Sequence, residues 1–341
     1  MYQLLKPLLF ALDAEQVHDH VMSLLGFVAR NKPLLEQTKR FCLVSDPKLE
    51  VQCMGLTFPN PIGLAAGLDK NALSLPIWAA LGFGFVEIGS VTAHQQTGND
   101  KPRLFRLPED RALINRMGFN NHGANVVAAR LELWQHTHGQ PKVPLGINLG
   151  KSKITPLESA PLDYLQSLSK LWDYGDYFVL NVSSPNTPNL RQLQDRAPLE
   201  ELLRAVMGFR QEQAKPKPIA LKIAPDLTWG QIDEIIELVL SYNLSAIIAT
   251  NTTIARDGLK TPISESGGLS GQPLKNRSLE VLHYLVQKLE QRIPVISVGG
   301  IASPTDAQQR LEAGAALVQL YSGFIFEGPM LPNQIARGLR F

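Results

Sequence analysis

Cysteine is scarce in this 341-residue chain, which has only Cys42 and Cys53 and no CxxC pair. That excludes a cysteine-ligated zinc or iron–sulfur centre within the chain and argues against a secreted disulfide framework. Histidine pairing is also missing. His18/His20 and His136/His138 lack the i, i+4 spacing that puts two ligands on one helical face, so no metal site is expected. Neither sign of charge dominates: 33 basic and 31 acidic residues leave +2 at pH 7, too little to indicate a nucleic-acid partner. No apolar run approaches the roughly 20 residues that span a bilayer. The N-terminus, "MYQLLKPLLFALDAEQ", is interrupted by Pro7 and followed by acids where a signal peptide has a small-residue cleavage site. The main body is expected to be soluble and cytosolic.

From residue 61 onward, short apolar and β-branched runs alternate with helical patterns. The runs are "PIGLAAG" (61–67), "FVEIGSV" (85–91), "PLGINLG" (144–150), "YFVLNVS" (177–183), "IALKIAP" (219–225), "AIIATNT" (246–252), "VISVGG" (295–300) and "LVQLYSG" (317–323). Several are nearly all apolar, as strands buried on both faces are. Helices are expected near 71–82, 122–138, 161–174, 198–213, 229–242, 278–291, 304–313 and 329–338. Eight β–α units predict an α/β fold, a (β/α)8 TIM barrel. The alternative is an open doubly wound sheet, disfavoured by the lack of GxGxxG after the first strand.

The N-terminus reads differently, as a two-helix extension over 3–12 and 14–30. Leu4, Leu5, Leu8, Leu9 and Leu12 share one apolar face; Val17, Val21, Met22, Leu24, Leu25 and Val28 form another. Asp13, with Gln16 three residues on, resembles a capping box. The helices either pack on the barrel or form a lid whose apolar faces lie in a membrane surface. The predicted division is 1–40 for this extension and 41–341 for the barrel.

Barrel chemistry sits at the C-terminal ends of the strands. Asn148, Asn181, Lys222, Thr250 and Asn251 are polar residues late in apolar runs. Lys222 points opposite Leu221 and Ile223, and a buried ammonium is costly without an anion. No acid occurs late in any strand, so a ligand is expected to supply the charge. "GGLSG" (267–271), "VGGIAS" (298–303) and "YSGF" (321–324) offer free backbone N–H groups after the sixth, seventh and eighth strands, the usual barrel phosphate site. Phosphate at one end and a buried cation further in suggest FMN. "AAGLDK" (65–70) lets a flat ring approach the backbone, with Lys70 opening the next helix. Asn115, Asn181, Asn186 and Asn251 match a ligand with alternating C=O and N–H groups; each alone is equally readable as a turn asparagine.

Together "GLAAGLDKN", "NRMGFNNHG", "NVSSPNTPNLR", "IATNTT", "GGLSGQPL" and "VQLYSGFIFEGP" resemble the dihydroorotate dehydrogenase family, specifically its membrane-associated, quinone-reducing class 2 branch. The resemblance implies an FMN-binding barrel that oxidises dihydroorotate to orotate in pyrimidine biosynthesis. A hydride passes from C6 to flavin N5, a base takes the C5 proton, and ubiquinone or menaquinone reoxidises the flavin. In this branch the base is a serine, here Ser184; the soluble class uses a cysteine, and neither cysteine here lies near a strand end. Thr187 and Phe119 match the positions of a proton relay. FMN falls on Ala66, Gly67, Ser90, Asn148, Asn181, Lys222, Thr250, Gly271, Gly300, Tyr321 and Ser322. Substrate falls on Lys70, Asn115, Arg116, Met117, Gly118, Phe119, Asn181, Asn186, Asn251 and Thr252, with Lys70 on the carboxylate. His18, Arg106 and Tyr321 match the lining of a quinone tunnel under the N-terminal helices. The resemblance also favours the membrane-surface reading of those helices and a peripheral position on the cytoplasmic face of the cell membrane. A tRNA dihydrouridine synthase, or a non-catalytic barrel binding a phosphate ligand, are the competing readings.

Overall fold

The computed structural model describes residues 2–340. All eight predicted runs form strands: Ile62–Leu64, Phe85–Val91, Leu145–Leu149, Tyr177–Asn181, Ile219–Ile223, Ala246–Ala249, Val295–Val298 and Leu317–Leu320. They pair in parallel, in chain order, and the last pairs the first to close a barrel. The doubly wound alternative is thereby excluded.

Strand side chains alternate, and this sorts the core in two. Ile147, Leu149, Phe178, Leu180, Leu221, Ile223, Val318 and Leu320 face outward into the layer beneath the helices. Phe85, Tyr177, Val179, Ala220, Ala246, Ile248, Ile296 and Leu317 fill the interior. A hairpin that sequence patterning did not separate, Val51–Cys53 with Leu56–Phe58, closes the N-terminal end of the barrel. Its Phe58 ring meets Phe85 edge-on at 5.3 Å, and Cys53 is buried with them, its thiol pushed up to about 11 by that burial. At the opposite mouth, Leu104–Leu107, Ala112–Asn115 and Gly268–Gly271 form a three-stranded antiparallel sheet.

The N-terminal extension contains a third helix, Lys32–Cys42, after Tyr2–Ala11 and Ala14–Arg30. Asn31 caps it by accepting from the Leu34 N–H at 3.2 Å, and Pro33 lies in its first turn, where a missing N–H costs nothing. Asp13 caps the second helix, accepting from the Gln16 N–H at 2.9 Å, but among the described residues the Gln16 side chain does not return the bond that would complete the expected capping box. Met22 and Ala29 of that helix are buried inward, whereas Val21, Leu24 and Phe27 face out. After Ser184 a 3-10 turn occupies Leu190–Gln194 and a helix begins at Arg196.

Candidate active site

The interior becomes polar toward the C-terminal ends of the strands. Glu87, Asn148, Asn181, Lys222, Thr250 and Gln319 are all buried and share the parity of the inward-facing residues. Each buried polar group needs a partner, and most find one another. Asn251 Nδ2 donates to Asn181 Oδ1 (3.2 Å) and Ser183 Oγ (2.9 Å). Asn181 Nδ2 donates to Ser90 Oγ (2.9 Å) and Asn148 Oδ1 (3.1 Å). Asn148 Nδ2 donates to Glu87 Oε1 at 2.8 Å, and Gln319 Nε2 to Glu87 Oε2. The network runs from the cavity wall down to one carboxylate.

That carboxylate corrects the sequence expectation for Lys222. Glu87 Oε1 lies 3.7 Å from Lys222 Nζ, so the protein itself supplies an anion. Glu87 sits at the third position of its strand, below the residues at the strand ends, and its inward parity is what brings it under the lysine. The Lys222 ammonium nevertheless makes no hydrogen bond among the described residues and lines the cavity above.

The cavity, about 990 Å3 with its open mouth, brings together Ala66, Gly67, Ser90, Asn181, Lys222, Thr250, Gly271, Gly300, Tyr321 and Ser322. It also gathers Lys70, Asn115, Met117, Gly118, Phe119, Asn186, Asn251, Thr252 and Ser184. Asn148 stands behind this wall. Arg116 turns away: its guanidinium pairs with Glu265, donates to Pro102 O at 2.8 Å and covers the Phe105 ring. Thr187 is buried, its hydroxyl without a partner among the described residues, but it is not on the lining. Sequence reasoning missed Gln319 on the wall, whereas Ser270, Gly299 and Gly323 lie within the three glycine segments it had singled out. A glutamine between Val318 and Leu320 in an otherwise apolar strand was the available signal.

Ser184 is almost fully buried, and its Oγ accepts the Asn186 N–H at 3.2 Å. Asn186 Nδ2 in turn donates to Asn115 Oδ1 at 3.1 Å, and its carbonyl accepts from Asn99 Nδ2 at 3.0 Å. Lys70 lies in a turn, not at a helix start; the helix begins at Leu75. Burial pushes the Lys70 ammonium down to about 8, against the opposing pull of Glu15 and Asp19. Gly67 has φ +104, and a Cβ there would meet the Tyr321 ring at 3.2 Å. Tyr321 OH points to Gly67 O (3.5 Å), and His18 Nε2 is 2.9 Å from Leu68 O. The second N-terminal helix and the cavity therefore meet on adjacent carbonyls. Arg106 lies farther out, donating to the carbonyls of Leu9 and Leu12 (both 3.0 Å) at the end of the first helix. Among the described residues no cluster of His, Cys, Asp or Glu could hold a metal ion.

Known proteins resemble this chain over most of its length. The family model described as dihydroorotate dehydrogenase matches residues 48–341. The protein of Thermus thermophilus named "Dihydroorotate dehydrogenase (quinone)" is 53% identical over 332 residues, covering 97% of this chain and 94% of its own. One of the same name from Thermosynechococcus vestitus is 49% identical over 352 residues, 98% of this chain and 95% of its own. The crystal structure of the Eimeria tenella dihydroorotate dehydrogenase in complex with ferulenol superposes with a TM-score of 0.87 at 36% identity, covering 96% of this chain and 90% of that one. The chain belongs to the dihydroorotate dehydrogenase family.

Proposed function

We propose that the chain is a quinone-dependent dihydroorotate dehydrogenase that uses FMN and docks on the cytoplasmic face of the cell membrane through its N-terminal helices. The single observation that carries this reading is the cavity itself: one wall joins a buried ammonium, mutually bonded asparagines and the sheltered hydroxyl of Ser184.

The residues suit a flavin. Thr250 Oγ1 and Gln319 Oε1 are buried on the lining with no partner among the described residues, which is costly unless a ligand meets them. Ala65, Ala66 and Gly67 present a flat small-residue surface. Gly299 and Gly300 line the end suited to phosphate, with N–H groups that have no acceptor among the described residues. Gly271 and Ser322 lie beside them, and Tyr321 closes that side. Bound there, FMN supplies a two-electron acceptor for the hydride that leaves substrate C6.

The chain's own groups do the rest. Lys70 meets the substrate carboxylate. Asn115, Asn181, Asn186, Asn251 and Thr252 hold the ring amides, helped by the 115–119 backbone. Ser184 Oγ takes the C5 proton as the C5=C6 double bond forms, and its own hydroxyl proton passes on, Thr187 and the backbone at Phe119 being the relay candidates. Lys222 favours charge on the reduced ring. A serine is a weak base, so exclusion of water and alignment matter more than its basicity.

Quinone access is assigned to the seam between the N-terminal helices and the barrel, where His18, Tyr321 and Arg106 lie. Membrane docking is supported by exposed apolar side chains concentrated in this extension: Leu4, Leu8, Leu12, Leu24, Phe27 and Phe41 are each more than half exposed. No helix among the described residues is long and apolar enough to cross a membrane. The division into an extension of about residues 1–40 and a barrel of 41–341 is part of this proposal, although the helix Lys32–Cys42 runs across it. Steady-state orotate formation tests the reading: a membrane quinone should support turnover and NAD+ or fumarate should not. Turnover with the soluble acceptors alone would refute quinone dependence.

A further inference from the structure

Beneath the glycine loop after strand Val295–Val298 lies a guanidinium with no carboxylate of its own. Arg310, in helix Pro304–Glu312, is fully buried. One of its nitrogens donates to the carbonyls of Lys275 (2.7 Å) and Gly299 (2.9 Å) and to Ser278 Oγ (2.9 Å). Its Nε and other terminal nitrogen have no acceptor among the described residues. The nearby acid, Asp306, is already engaged by Lys275 and by the Ala302 N–H at 3.0 Å. Burial pushes Arg310 down to about 10, which leaves it charged at neutral pH. The Lys275–Asp306 pair cancels, so one positive charge remains sealed under the loop, an arrangement that is unfavourable unless an anion lies close by.

The geometry of the peptide gives this charge a second effect. Carbonyl and N–H of a trans peptide point in opposite directions. Arg310 and Ser278 both hold the Gly299 carbonyl from below, Ser278 Oγ at 3.0 Å. The Gly300 N–H of that same peptide is therefore turned upward, toward the cavity that Gly300 lines. The loop has no room to tilt. A Cβ at Gly299 would lie 2.8 Å from Ser278 Oγ, and one at Gly300 2.5 Å from Lys275 Cβ.

We propose that Arg310 is a positioning residue: it fixes the Gly299–Gly300 peptide with its N–H toward the cavity and places one positive charge behind it, so that this end of the cavity selects the phosphorylated flavin over the unphosphorylated one. This rests on the flavin reading given above, and the test separates the two. The full-length chain, stripped of flavin, is titrated with FMN and with riboflavin, following quenching of flavin fluorescence. Arg310→Met should weaken FMN binding by about ten-fold or more while leaving riboflavin binding nearly unchanged, because the charge and the held Gly300 N–H both act on the phosphate. Arg310→Lys, which keeps the charge, should restore most of the preference. Equal weakening of both flavins, or no weakening of either, overturns the proposal. If Arg310→Met does not fold, Ser278→Ala decides, since it removes only a hydroxyl: a smaller loss confined to FMN supports the proposal, and an equal loss for both flavins, or none, contradicts it. A wild-type chain that binds neither flavin overturns the flavin reading itself and this proposal with it.

Discussion

Glu87 Oε1 lies 3.7 Å from Lys222 Nζ, with both side chains sealed inside the barrel. The carboxylate also accepts from Asn148 and Gln319, so it is held from three sides. The lysine is held from one and is open to the cavity on the other. The pair thus lets a cation be stored in a dry interior before any ligand arrives, at a cost the protein covers with hydrogen bonds.

Breaking this pair from one side should be expensive. In flavin-free chain, Lys222→Met leaves Glu87 without its counter-charge and should destabilise folding by about 3–5 kcal/mol. The double variant with Glu87→Gln should recover part of that loss. Denaturant unfolding of all four species measures the coupling; additive losses would mean the two charges do not interact. In holoenzyme, Glu87→Gln should raise the flavin midpoint potential, since Lys222 then acts on the reduced ring without an opposing charge.

Ser184→Ala tests the base. Flavin reduction by dihydroorotate should slow by about 10²–10⁴-fold, while the dissociation constant for orotate changes little. Stopped-flow absorbance under anaerobic conditions reads the first and spectral titration the second. Reduction at the wild-type rate would remove Ser184 from the chemistry.

Lys70 should impose a pH limit. Burial lowers its ammonium to about 8, and only the protonated form attracts the substrate carboxylate. kcat/KM, which reports the free enzyme, should therefore hold below that value and fall as pH rises through it. Lys70→Arg should move the fall to higher pH because a guanidinium stays charged. An unchanged alkaline limb in that variant would assign it to another group.

The outward face of the extension should govern membrane binding alone. Replacing Leu4, Leu8, Leu24 and Phe27 by serine removes exposed apolar area and should abolish sedimentation with phospholipid vesicles. Anaerobic flavin reduction by dihydroorotate should stay at the wild-type rate, because none of these residues lines the cavity. Undiminished vesicle binding would place the docking surface elsewhere.

The barrel strands were legible because they are buried on both faces and so read as apolar runs between helices. The wall residues were legible where a polar side chain falls late in such a run, as Asn181 and Lys222 do. Glu87 escaped because it lies inside its run, and only its parity with Phe85 shows that it faces inward. The helix Lys32–Cys42 carried its signals, Asn31 and Pro33. The hairpin at 51–58 turns at Met54 and Gly55, both with positive φ, a two-residue turn visible in "CMGL". The mouth sheet left no local trace. Its strands are four residues each, and Gly268–Gly271 pairs with Ala112–Asn115 across more than half the barrel's sequence.

Anaerobic titration of the purified holoenzyme with dihydroorotate, watching the visible flavin band, tests the central claim most directly. The account predicts a yellow protein whose band bleaches with one equivalent of dihydroorotate per flavin and returns on adding quinone. A protein that carries no flavin, or whose flavin stays oxidised in excess dihydroorotate, would contradict it.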